Sequence, residues 1–142
     1  MRVIIGGAGR VGTELAKTLR AEEMDVVLVD SDSRAVKNAQ NLDVLVIHGD
    51  LTTREKLHEA GIGEAEVFVA ATNSDERNLL ACALAEHAHY QYGGSKAKPL
   101  LSISRVRSLN FMQEQQEGHL TGWAKVNPVS YTHLTLPTRR FV

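Results

Sequence analysis

Val3-Ile4-Ile5-Gly6-Gly7-Ala8-Gly9-Arg10-Val11-Gly12 runs an apolar strand directly into G-x-G-x-x-G. The next apolar run, Val26-Val27-Leu28-Val29, ends on Asp30. Strand, glycine turn, helix, second strand and acid, in that order, make up the dinucleotide fingerprint in its structural setting. Each part has a physical task. Gly7 allows the tight turn out of the strand, Gly9 lets a pyrophosphate approach the backbone, and Gly12 lets the helix pack close to the sheet. The helix N-terminus offers unpaired N–H groups and positive dipole to the phosphates. Asp30, 18 residues after Gly12, stands where a carboxylate accepts hydrogen bonds from an adenosine ribose.

Outward from this unit the chain keeps alternating. The pattern predicts strands at 2–6, 25–30, 44–48, 67–71, 100–104 and 124–127, and helices at 10–21, 33–40, 53–60, 75–89 and 108–116. The short strands are almost wholly apolar, as parallel strands are when helices cover both faces. Val11, Leu15, Ala16 and Leu19 fall near helical spacing and give the first helix one buried stripe. The expected fold is α/β: a single Rossmann-like domain with a doubly wound parallel sheet and ligand at the carboxyl ends of its strands. Ser31-Asp32-Ser33 and Thr72-Asn73-Ser74-Asp75 follow the second and fourth strands, and both are rich in N-cap residues.

Composition narrows the function. At 142 residues and 43% hydrophobic, the chain fits one domain with a sizeable core. A formal charge of −1 gives no general nucleic-acid surface. Cys82 is the only cysteine, so no intrachain disulfide forms, and one thiol fits a reducing cytoplasm. No apolar run approaches the ~20 residues of a membrane span, so direct insertion is not expected. The start, Met1-Arg2 followed at once by a short strand, does not read as a signal peptide. Residues 129–142 differ from the rest: they break the alternation and contain no acid. They resemble translated adapter read-through. Residues 1–128 are therefore taken as the nucleotide-binding domain, and 129–142 as a non-native or disordered tail.

Catalytic machinery is hard to find. A dehydrogenase needs an acid or base beside the nicotinamide and a second wall for substrate. His48 stands on the adenine side by motif order, where packing or ribose contact suits it better than chemistry. His87 and His89 lie two apart on a helix, where side chains diverge and do not chelate together. Cys82 falls in an apolar helical stretch and reads as core, and Trp123 as packing. No catalytic or metal-ligating residue is assigned.

Several further blocks belong with the fingerprint: Val46-Ile47-His48-Gly49-Asp50, Ala60-Gly61-Ile62-Gly63-Glu64, Val69-Ala70-Ala71-Thr72-Asn73-Ser74-Asp75-Glu76-Arg77-Asn78, and the weaker Ser104-Arg105-Val106. On these residues the chain resembles the N-terminal nucleotide-binding domain of the TrkA family, also called RCK or KTN. Gly-Asp after the third strand and Ala-Thr-Asn-x-Asp-Glu-x-Asn after the fourth are its most specific blocks.

The resemblance implies an adenine nucleotide, NAD(H) first and ATP or ADP as the other possibility. It implies that Gly7, Gly9, Arg10 and Val11 form the pyrophosphate turn and that Asp30 is the ribose-binding acid. Asp32 would cap or shield the same loop. Gly49 and Asp50 would lie on the adenine side, with Thr72 and Asn73 closing over the centre. Arg105 would fork onto phosphate oxygens, or else pair with Asp75 or Glu76. The 90–99 loop is longer than the family's, and the chain stops where the family continues into a small regulatory domain. The implied function is a cytoplasmic, non-enzymatic regulatory subunit. It would form a homo-oligomer and control a membrane potassium transporter or channel, reaching the membrane through that partner. The alternative is an NAD-dependent oxidoreductase fragment lacking its substrate domain, and a third reading is a sugar-nucleotide or coenzyme-binding fold.

Overall fold

Successive residues of the first strand point into two different cores, and this arranges the rest of the molecule. In the computed structural model, which describes residues 1–108, 110, 113 and 127–130, Val3 and Ile5 pack with Leu15, Ala16 and Leu19. Ile4 packs on the other face with Phe68, Leu57, Leu79 and Cys82. A strand's side chains alternate between faces, so a strand covered on both sides must be apolar throughout.

The elements are β1 (Arg2–Gly6), α1 (Arg10–Ala21), β2 (Asp25–Asp30), α2 (Ser33–Ala39), β3 (Leu45–His48), α3 (Arg54–Glu59), a 3-10 turn (Ile62–Glu64), β4 (Val67–Ala70), α4 (Asp75–Gln91), β5 (Leu101–Val106) and β6 (Asn127–Ser130). The sheet order is β3-β2-β1-β4-β5-β6. Every neighbouring pair is parallel. This is the doubly wound Rossmann arrangement. Strand order reverses between β1 and β4, which opens a crevice at their carboxyl ends. Among the described residues no helix is long and apolar enough to cross a membrane.

Caps explain the helix starts. Asp32, Thr53 and Ser74 each precede a helix and accept a hydrogen bond from a first-turn N–H with the side chain. Gly9 precedes α1 without a side-chain cap.

Some boundaries differ from the sequence reading. α4 continues past 89 to Gln91 and stops because Gly93 takes φ +109, with the Gly94 N–H closing onto the His89 carbonyl at 2.7 Å. β5 runs to Val106, which brings Arg105 into the strand. The last strand is described over Asn127–Ser130; of the strand expected at 124–127, residue 127 is in it and 124–126 lie outside the described residues. Val129 and Ser130, placed in the tail by sequence, sit in register with Arg105 and Val106. Of the helix expected at 108–116, Asn110 and Gln113 are helical while Ser108 is not. The remainder of that helix, Trp123, His119 and residues 131–142 lie outside the described residues.

Candidate nucleotide-binding site

The glycine turn is built by close contact. Gly7 has φ +115, and a Cβ there would lie 2.9 Å from the Ala71 carbonyl oxygen. The Gly7 N–H donates to the Val29 carbonyl at 2.8 Å. A Cβ on Gly12 would collide with the Gly7 carbonyl oxygen, so the first turn of α1 rests directly on the loop. A Cβ on Gly9 would meet nothing within 4 Å. Gly7 and Gly12 are thus demanded by packing, whereas Gly9 faces open space.

That space is a cavity of about 480 Å³ at the carboxyl ends of the strands. Of the residues expected from sequence, Gly7, Gly9, Arg10, Val11, Asp30, Asp32, Thr72, Asn73 and Arg105 line it. Gly49 and Asp50 do not, and Leu51 lines the wall in their place. The Gly49 N–H is turned to the Asp30 carbonyl at 2.9 Å. The Asp50 carboxylate accepts from the Thr52 N–H at 2.8 Å, the Thr52 hydroxyl at 2.6 Å and Arg77 Nη2 at 2.8 Å. The two Thr52 bonds, with Arg77 adding to them, hold Asp50 below its ordinary pKa of 3.8.

Asp30 ties the site together. Its Oδ2 accepts from the Ala8 N–H at 2.7 Å and its Oδ1 from the Asp32 N–H at 2.8 Å. Each carboxylate oxygen keeps a further lone pair for a hydroxyl. Asp32 Oδ1 accepts from the Arg34 N–H at 3.0 Å, so its side chain caps α2. His48 Nε2 donates to the Ser31 carbonyl at 3.0 Å, which fixes the ring against the β2–α2 loop.

The opposite wall is organised by a residue that sequence reasoning did not assign. Asn78 is fully buried. Its Oδ1 accepts from the Thr72 N–H at 2.9 Å and from the Thr72 hydroxyl at 2.5 Å. Its Nδ2 donates to the Thr72 and Arg105 carbonyls at 3.1 and 3.0 Å. Arg105, only 7% exposed, donates from Nη1 to the Thr72 carbonyl and Asn73 Oδ1, each at 3.2 Å. Asp75, the alternative partner for Arg105, accepts the backbone N–H groups of Arg107 and Ser108 at 3.0 and 2.9 Å. Asn78 did leave a signal: it lies four residues before buried Cys82, in step with the inward stripe of α4. Arg77, also on the cavity wall, left none.

The remaining candidates separate cleanly. His87 Nδ1 lies 2.8 Å from Arg54 Nη1, while buried His89 Nδ1 donates to the Ile62 carbonyl at 2.7 Å. Cys82 is fully buried, and burial pushes its thiol pKa well up.

A glycine turn on a helix N-terminus, an acid at the end of β2 and arginines around a crevice at the switch point define a Rossmann-type nucleotide-binding domain. Residues 3–109 match the family model described as the TrkA-N domain, and the chain belongs to that family. It is 35% identical over 118 residues to the Trk system potassium uptake protein TrkA of Haemophilus influenzae, covering 82% of this chain and 24% of that protein. It is 48% identical over 85 residues to a TrkA homolog of Methanothermobacter thermautotrophicus, covering 59% of this chain and 39% of that one. The chain therefore spans well under half the length of these relatives. Among solved structures, the Shewanella denitrificans Kef CTD in AMP-bound form superimposes with a TM-score of 0.67 at 22% identity, covering 93% of this chain and 72% of that one. At that identity the likeness concerns the fold.

Proposed function

We propose that the chain is the nucleotide-sensing module of a potassium-uptake regulator, binding NAD(H) or ATP/ADP in the cavity at the glycine turn. The observation that carries this reading is the joint placement of the open Gly9 position, Asp30 and Arg105 on one cavity. The phosphates sit on the first turn of α1, the ribose on Asp30, and the far end of the ligand against Thr72, Asn73 and Arg105. The AMP-bound form of the Kef structure and the potassium-uptake names of the relatives support the same reading. The partner is a membrane potassium transporter or channel subunit, met from the cytoplasm. The chain self-associates through helical surface around α4, where Leu80 is 45% exposed.

The module regulates rather than catalyses. Both acids on the cavity wall are engaged by backbone N–H groups, which suits holding loops more than moving protons. Ligands that close the loops differently would bias two arrangements of the assembly by their differential affinity. Calorimetric titration with NADH, NAD, NADPH, ADP and ATP tests the reading. Saturable binding of one or more, with no NADH oxidation on addition of carbonyl acceptors, supports it. Substrate-dependent NADH turnover overturns it.

A further inference from the structure

Arg77 lines the same cavity as Gly9 and Arg10, yet its guanidinium is spent on a weak bond. Its Nη2 donates to Asp50 Oδ1 at 2.8 Å, with the two side chains 44% and 43% exposed. Among the described residues that is the one hydrogen bond its guanidinium makes. A guanidinium has five N–H donors, so most of its fork is available. Exposed ion pairs of this kind contribute little, whereas a two-pronged guanidinium–phosphate contact is among the stronger polar interactions. Asp50 also loses little if Arg77 leaves, because the same Oδ1 keeps the Thr52 N–H and hydroxyl.

We propose that Arg77 is a phosphate-contacting residue of this cavity, held in reserve by Asp50, so that an anionic nucleotide is bound in exchange for the Arg77–Asp50 ion pair. The proposal rests on the nucleotide reading and adds a residue that selects for ligand charge. The exchange makes Asp50 a competitor of the ligand rather than a contact for it. Arg77 and Asp50 therefore act in opposite directions on affinity, although they form one pair.

The test is calorimetric titration of the full 142-residue chain with ADP and, separately, adenosine. Arg77→Gln is expected to weaken ADP about tenfold and leave adenosine unchanged, with Arg77→Lys in between. Asp50→Asn keeps an amide oxygen for Thr52 and is expected to strengthen ADP several-fold. A purely structural tether would move Arg77→Gln and Asp50→Asn the same way, and that result overturns the proposal. So does an Arg77→Gln variant that binds ADP as the parent does, or that loses ADP and adenosine equally. A parent chain that binds neither ligand overturns the nucleotide reading itself, and this proposal with it.

Discussion

Asp30 is held on both oxygens by backbone N–H groups before any ribose arrives: Ala8 in the glycine turn and Asp32 at the start of α2. One side chain thus fixes the distance between two loops that must together receive the ligand. Asp30→Ala is expected to weaken NADH or ADP binding by about 1–3 kcal/mol, the range for a charged hydrogen bond lost or a partner left unpaired. It should also lower the melting temperature, because two N–H groups lose their acceptor. Titration and thermal melts on the same variant check both, and unchanged affinity would remove Asp30 from the site. Asn78 holds the opposite wall in the same way, but from full burial.

At the scale of elements, the glycines divide by what a side chain would meet. Gly12→Ala drives a methyl into the Gly7 carbonyl and is expected to unfold or strongly destabilise the domain, as judged by circular dichroism and urea titration. A natively folded Gly12→Ala variant with parent stability would show that α1 does not rest on the loop as described. This contact was legible in the sequence, because the strand, glycine spacing and following helix state it locally. So were β1, β2 and β4, whose apolar runs leave little choice of element. The end of α4 was less so. Tyr90 and Gln91 are compatible with helix, and only the left-handed conformation of Gly93 stops it. Gly49 and Asp50 carried a motif but not a direction: nothing local shows that Asp50 turns to Thr52 and Arg77 instead of the cavity. Contacts such as Arg77–Asp50 join elements distant in sequence, and single-residue patterns hold no trace of them.

For the whole molecule, the sheet ends in β6, whose Val129 and Ser130 pair with the end of β5 beside Arg105. The strand thus crosses the boundary drawn from sequence at 128. Residues 131–142 remain, as a proposal, outside the working fold. A chain ending after Ser130 is expected to keep the parent melting temperature and nucleotide affinity. One ending after Pro128 is expected to melt lower, because β5 loses part of its neighbour. Equal melting of both truncations would show that β6 contributes nothing, and a loss of stability in the longer one would return the tail to the native fold.

The central claim is that a nucleotide sits against the backbone at Gly9, where a Cβ meets nothing within 4 Å. Its most direct test is titration of the parent and of Gly9→Val with NADH and ADP, alongside circular dichroism. The added side chain points into free space, so the variant is expected to keep the parent spectrum and lose binding of both ligands. A folded Gly9→Val chain that binds them as tightly as the parent would contradict the account.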